Sequence, residues 1–247
     1  MPSTHRAASR PDNVFIRDSG LQAVLWDMDG TIVDTEPYWI EAEEALAGEY
    51  GVEWTHEDAL KMVGNALMDS AMIIRETIAA GGGPTLDPRS IIDRLSGSVM
   101  RRVRERMPWR PGAYELLEDL TASGVPCGLV TMSEGPLASL VAEALPAGTL
   151  RFKVTGDMVS RGKPDPEPYL QGLSRLAEWV PGLAPSRVIA IEDSIPGVAS
   201  AAASGALTLA VPHFIELPEP DGWVQWDSLE GRTAKDLNEL VLFGAGA

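Results

Sequence analysis

Four short, almost unbroken apolar runs stand out along the chain, at residues 23–26, 127–130, 188–191 and 206–211, with a weaker fifth at 150–154. Apolar runs this short, without polar alternation, predict strands buried on both faces, as in a parallel sheet. Between them, residues 113–122, 137–144, 168–179 and 196–204 space their apolar positions as a helix does. Strand and helix in alternation predict an α/β fold built on a doubly wound parallel sheet.

One interval breaks the alternation. Residues 38–107 separate the first and second strands, which is too long for a single crossover, and every pattern inside the interval is helical. Trp39, Ala42, Leu46 and Tyr50 share one helical face. Leu67, Ala71, Ile74 and Ile78 share another, with Asn65 as the expected cap. A third stripe is Ile92, Leu95, Val99 and Val103, with Asp87 as N-cap and Pro88 opening the helix. Gly81-Gly82-Gly83-Pro84 predicts a loop between the second and third stripes, because proline cannot continue a helix and glycine permits the turn. The expected organisation is therefore a tail at 1–20, an α/β core from 21–37 and 108–247, and a helical cap domain at 38–107. Hinges are expected near 35–37 and 107–110. Arg101, Arg102, Arg104 and Arg106 read as a solvated helix face.

Composition narrows the function classes. With 247 residues, 45% of them hydrophobic, the chain can bury a sizeable core and fold alone. A formal net charge of -16 repels a phosphate backbone, and no basic run offsets it, so nucleic acid is excluded as a partner. Cys127 is the single cysteine, which rules out an intrachain disulfide or a zinc-thiolate site and predicts a buried small residue in a strand. The polar N-terminal stretch lacks the apolar core of a signal peptide, and no run approaches membrane-helix length, so the expected location is cytoplasmic, away from any membrane. A monomer is the favoured oligomeric state.

In open parallel sheets, ligands bind beyond the carboxyl ends of the strands, so the polar residues just after the apolar runs carry the candidate chemistry. The first strand delivers Asp27-Met28-Asp29-Gly30-Thr31, the second Thr131-Met132-Ser133, and the fourth Glu192-Asp193-Ser194. Gly30 lets the chain turn and separates the roles of the two aspartates. Gly162-Lys163-Pro164-Asp165-Pro166 is a stiff loop able to hold one ammonium in a fixed place, suited to a phosphoryl oxygen.

These four segments, in their chain order with Lys163 ahead of Glu192 and Asp193, resemble the haloacid dehalogenase (HAD) superfamily over nearly the whole chain after the tail, with a Rossmann-like core. The helical insert is similar to the C1-type cap of the subfamily containing β-phosphoglucomutase and phosphoglycolate phosphatase. The resemblance implies a phosphatase that hydrolyses a small phosphorylated metabolite. Asp27 would be the nucleophile, forming an aspartyl phosphate, and Asp29 the acid and base. It also implies that Mg2+ is held by the Asp27 side chain, the Asp29 backbone carbonyl and the Asp193 side chain, with Glu192 directly on the ion or just behind it. The Thr131 hydroxyl, the Met132 amide and Lys163 would bind phosphoryl oxygens.

Relatives that cleave carbon-halogen or carbon-phosphorus bonds lack an aspartate at the position of Asp29, so phosphate ester chemistry is expected. A sugar-phosphate mutase of the β-phosphoglucomutase type is the alternative. It is disfavoured because Trp39 stands where the mutases carry a histidine, and Leu67 where they carry a cap arginine. A phospho-receiver module is disfavoured by order, since there the lysine follows the last strand motif.

Overall fold

β1 (Ala23–Trp26) has all four residues buried and forms the centre of the sheet. It pairs in parallel with β2 (Cys127–Val130) on one side and β4 (Val188–Glu192) on the other. β3 (Leu150–Val154), β5 (Leu207–Ala210) and β6 (Val224–Gln225) complete the order β3-β2-β1-β4-β5-β6, with every pairing parallel. The computed structural model describes residues 20–218 and 222–244, so the expected tail lies, apart from Gly20, outside the described residues.

The chain steps outward from β1 to β2 and β3, then crosses back to β4, so the direction of winding reverses between β1 and β4. A crevice opens at the carboxyl ends of strands at such a point.

Four helices lie between β1 and β2: α1 (Glu36–Gly48), α2 (His56–Leu60), α3 (Leu67–Ala80) and α4 (Pro88–Glu105). The remaining helices are α5 (Ala113–Ala122), α6 (Gly135–Glu143), α7 (Glu167–Trp179), α8 (Ile195–Ala203) and α9 (Ala234–Phe243). Successive strand residues face opposite ways. Val24 and Trp26 therefore pack with Leu116, Leu137 and Leu237 of α5, α6 and α9, while Ala23 and Leu25 pack with Tyr169, Leu176 and Ala201 of α7 and α8. Each large aliphatic side chain buried this way contributes about 1.5–3 kcal/mol. Both faces of the sheet are covered, as the unbroken apolar runs require.

The three long helices of the insert pack through the predicted stripes. Trp39, Ala42 and Leu46 of α1, Ala71, Ile74 and Ile78 of α3, and Ile92, Leu95, Val99 and Val103 of α4 are all buried in one cluster. Asp87 caps α4, its carboxylate accepting from the Ser90 amide at 3.0 Å, and Pro88 occupies the first turn. The glycine-proline stretch at 81–84 is a loop. The two chain crossings between core and insert are tied together: the Asp34 amide donates to the Pro108 carbonyl at 2.7 Å, and the Arg110 amide to the Ile32 carbonyl at 2.9 Å.

Two local expectations are corrected. Asn65 does not cap α3; Ala66 holds the N-cap position without a side-chain bond, and the Asn65 amide group donates instead to the Lys61 carbonyl at 2.9 Å. The turn at Lys61 to Asn65 uses that side chain first. Tyr50 lies beyond the end of α1, yet packs against the same core. Cys127 is buried in β2, and burial pushes its thiol up to about 12. Arg101, Arg102, Arg104 and Arg106 are exposed. Among the described residues no helix is long and apolar enough to cross a membrane.

Candidate active site

Asp27 immediately follows β1, and its amide still bonds to the Ile191 carbonyl of β4 at 3.0 Å, so the strand geometry fixes where its side chain emerges. Its carboxylate is buried and accepts from Lys163 Nζ at 2.5 Å through Oδ1. Lys163 is buried too. It arrives on the loop before α7, donates to the Val130 carbonyl at 3.1 Å and pairs with Glu192 Oε1 at 2.6 Å. Four segments that are remote in sequence thus meet at the ends of β1, β2 and β4.

Burial and the neighbouring Glu192 charge push Asp27 up to about 7, with Lys163 pulling the other way. Burial works against the Lys163 ammonium, but Asp27 and Glu192 outweigh it and hold the lysine above its ordinary range. Asp193, also buried, is driven well above the usual carboxylate range by burial and by Asp27 and Glu192. The cluster is thus short of positive charge.

Asp29 sits two residues on, held by hydroxyls from both sides. Thr35 Oγ1 donates to its Oδ1 at 2.5 Å and Trp39 Nε1 reaches the same oxygen at 3.4 Å. On Oδ2, Ser133 Oγ donates at 2.7 Å and Thr131 Oγ1 at 3.2 Å. The Thr131 hydroxyl, expected on a substrate oxygen, therefore rests on Asp29, while accepting from the Ser133 amide at 3.0 Å. The Met132 amide has no protein acceptor among the described residues. Gly30 makes the turn between these groups with φ +85°, and a Cβ there would stand 2.0 Å from Asp193 Oδ2. Only glycine satisfies both the backbone angle and the close approach.

The residues suit a hard divalent cation. Asp27, Glu192 and Asp193, all buried, each bring a carboxylate oxygen within 4.8 Å of the others. An all-oxygen donor set with excess negative charge matches magnesium and not a thiophilic metal. Both oxygens of Glu192 are already engaged. Tyr169 Oη donates to Oε1 at 2.6 Å, beside Lys163, while the Asp193 amide at 3.3 Å and Ser194 Oγ at 3.4 Å contact Oε2.

One pocket joins these groups to the insert, lined on the core side by Asp27, Asp29, Thr131, Met132 and Lys163. On the insert side it is lined by residues that include Trp39, Glu43, Leu67 and Ser70. Asp193 lies beneath it, against Gly30. The sequence pattern missed Thr35, Glu36, Glu43 and Tyr169 as site residues, and gave Ser133, inside the second motif, no role of its own. Thr35 and Glu36 closely follow the first motif, and Tyr169 follows Lys163 by less than two helical turns, so proximity to the motifs was the available signal. Glu43 carried none, since an acid on a helix reads as solvated; here it is 4% exposed.

A family model for haloacid dehalogenase-like hydrolases matches residues 21–205. The chain is 33% identical to N-acetylmuramic acid 6-phosphate phosphatase of Pseudomonas aeruginosa over 213 residues, covering 83% of this chain and 88% of that protein. It is 31% identical to hexitol phosphatase A of Escherichia coli over 195 residues, covering 78% of this chain and 84% of the relative. Among solved structures, β-phosphoglucomutase from Clostridium difficile matches with a TM-score of 0.74 at 19% identity, covering 90% of this chain and 97% of that one. That last likeness speaks for the fold alone.

Proposed function

The chain belongs to the haloacid dehalogenase-like hydrolases, and from that premise we propose that it hydrolyses a small phosphorylated sugar or polyol through an aspartyl phosphate on Asp27, with magnesium as cofactor. The relatives named as phosphatases support the reaction class. The observation that carries the reading is the pairing of Asp27 with Lys163 at 2.5 Å, beside an Asp29 held by four donors, at the floor of one pocket.

In this reading Asp27 Oδ1 stays on Lys163, and Oδ2, which accepts no hydrogen bond among the described residues, is the attacking oxygen. Splitting the displacement into two steps lets one carboxylate serve as leaving group for the other half-reaction. Asp29 carries a proton to the departing alkoxide and later takes one from the attacking water. To do so it must open one acceptor position on an oxygen, and the 3.4 Å contact from Trp39, which shares Oδ1 with Thr35, is the weakest to give up. Lys163, giving up its 3.1 Å bond to the Val130 carbonyl, and the free Met132 amide bind the transferring phosphoryl oxygens, and Thr131 joins them by turning its hydroxyl from Asp29. Asp27, the Asp29 carbonyl and Asp193 would hold the magnesium ion, with Glu192 behind them because its oxygens are taken by Tyr169, Lys163 and the start of α8. When bound, the ion offsets the repulsion between this acidic cluster and an anionic substrate.

The helices at 38–107 act as a cap over the core of 21–37 and 108–247, excluding bulk water from each half-reaction, with the tied crossings near 35–37 and 107–110 as hinges. Trp39 bonding to Asp29 fills the place a mutase histidine would need, which favours hydrolysis over transfer to a sugar hydroxyl. The test is release of inorganic phosphate from a panel of sugar phosphates, polyol phosphates, phosphoglycolate and nucleotides, with and without magnesium. Magnesium-dependent release from the sugar or polyol esters is expected. Sugar isomerisation without net phosphate release would replace this reading by the mutase.

A further inference from the structure

The insert side of the pocket is apolar apart from a few buried polar groups. Met62, Leu67, Ile92 and Leu95 supply walls without charge, and among them stand Glu43, Asn65 and Ser70. Glu43 is 4% exposed and fixed by Trp54, whose Nε1 donates to its Oε2 at 3.2 Å. Its Oε1 has no partner among the described residues. The Ser70 hydroxyl, 6% exposed, has none either. Nearer the core, Glu36 lines the same pocket at 9% exposure, its carboxylate likewise without a hydrogen-bond partner among the described residues. These groups line the pocket with hydrogen-bonding capacity unused by the described residues, which leaves it open to a bound ligand.

Charge is distributed unevenly along the pocket. Lys163 is the one cation lining it among the described residues, and that ammonium is committed to Asp27 and Glu192 at the core end. Among the described residues no positive group lines the insert end. Any anionic substituent on the leaving group would be placed among Glu36, Glu43 and apolar side chains.

Resting on the phosphatase reading above, we propose that Glu43, steadied by Trp54 and accompanied by Ser70, selects a neutral, hydroxyl-bearing leaving group and turns away phosphomonoesters that carry a second anion. A hydroxyl donates to Glu43 Oε1 and accepts from Ser70 Oγ, satisfying both groups at once. A carboxylate or second phosphate in that place has no proton to give Glu43 and faces its carboxylate across the pocket. At an effective dielectric near 20, two like charges sharing such a pocket repel by a few kcal/mol, worth on the order of 50-fold or more in binding.

The test compares kcat/KM for two matched esters, a hexitol 6-phosphate and the hexonate 6-phosphate in which the terminal hydroxymethyl is a carboxylate, with phenyl phosphate as a third substrate. The full chain is assayed at pH 8.5 with magnesium, above the value of about 7 to which burial raises Glu43. The wild type should prefer the neutral ester by about 50-fold or more, and Glu43→Gln should narrow the preference to under about 5-fold. The ratio is independent of how much of a preparation is folded, and Glu43→Met, which removes the charge by an apolar route, should narrow it likewise. Equal use of both esters by a wild type active on phenyl phosphate overturns the filter and leaves the phosphatase reading standing. An unchanged ratio in both variants overturns the assignment to Glu43. No phosphate from any of the three substrates overturns both readings.

Discussion

Replacing Glu43 by glutamine removes one buried charge while keeping an oxygen for Trp54, so the change isolates what that charge costs. Burial raises the Glu43 carboxyl from 4.5 to about 7, with the Trp54 bond pulling the other way. The folded chain therefore holds this proton more tightly than the unfolded one. Below pH 4.5 both states carry the proton and the group does not discriminate between them. As pH rises through the interval to about 7, the unfolded chain releases its proton first and folding stability falls; above about 7 the loss is complete. A shift of about 2.5 units at 1.36 kcal/mol per unit corresponds to on the order of 3 kcal/mol. Urea unfolding of wild type and Glu43→Gln at intervals from pH 5 to 8.5 measures it. The variant should gain on the wild type as pH rises, ending more stable by about that amount, with most of the change between pH 5 and 7. A stability difference that stays constant across the range would refute the reasoning, since it would mean that burial does not raise the proton affinity of Glu43.

Other outcomes follow from the same geometry. Asp27→Asn should abolish turnover at saturating magnesium while leaving the fold intact; residual activity near wild type would remove Asp27 as nucleophile. Lys163→Ala should lower kcat on the order of 100-fold or more, by loss of a phosphoryl partner. It should also destabilise the chain by about 3 kcal/mol, because Asp27 and Glu192 lose their buried counter-charge; a thermal melt beside the kinetics checks both. Gly30→Ala should cost both stability and activity, as its Cβ cannot stand 2.0 Å from Asp193 Oδ2 with φ at +85°. Chelation with EDTA should stop phosphate release and added magnesium restore it; full activity in the chelated protein would refute the metal proposal.

The strands were legible because a parallel sheet buries both faces. β1, β2 and β3 begin and end where their apolar runs do, and the motif residues follow at fixed distances. Asp27, Thr131, Lys163 and Asp193 come from segments that the topology must bring together once β1 lies between β2 and β4. β6 was illegible, being two partly exposed residues on an edge. α2 and α9 left a signal that went unused: Thr55 with Asp58, and Thr233 with Asp236, are reciprocal capping boxes. The insert side of the site could not be read, because periodicity says which face of a helix is buried but not what it is buried against. Trp39, placed by its periodicity on the packed face of α1, also serves the site, packing in the cluster while its ring nitrogen reaches Asp29. Glu43 on the same helix needed the docking of α1 against Trp54 and the core before its burial had any meaning.

The covalent step can be observed directly with Asp29→Asn and an aryl phosphate. An aryl leaving group departs without a proton, so the first half-reaction proceeds, while hydrolysis of the phosphoenzyme stalls for want of its base. Mass spectrometry of peptides from the quenched mixture should show one added phosphoryl group on the peptide containing Asp27, and none when Asp27 is also changed to asparagine. A phosphoryl group on Thr131 or Ser133 instead, or steady phosphate release with no labelled enzyme, would contradict the assignment of Asp27 as the nucleophile.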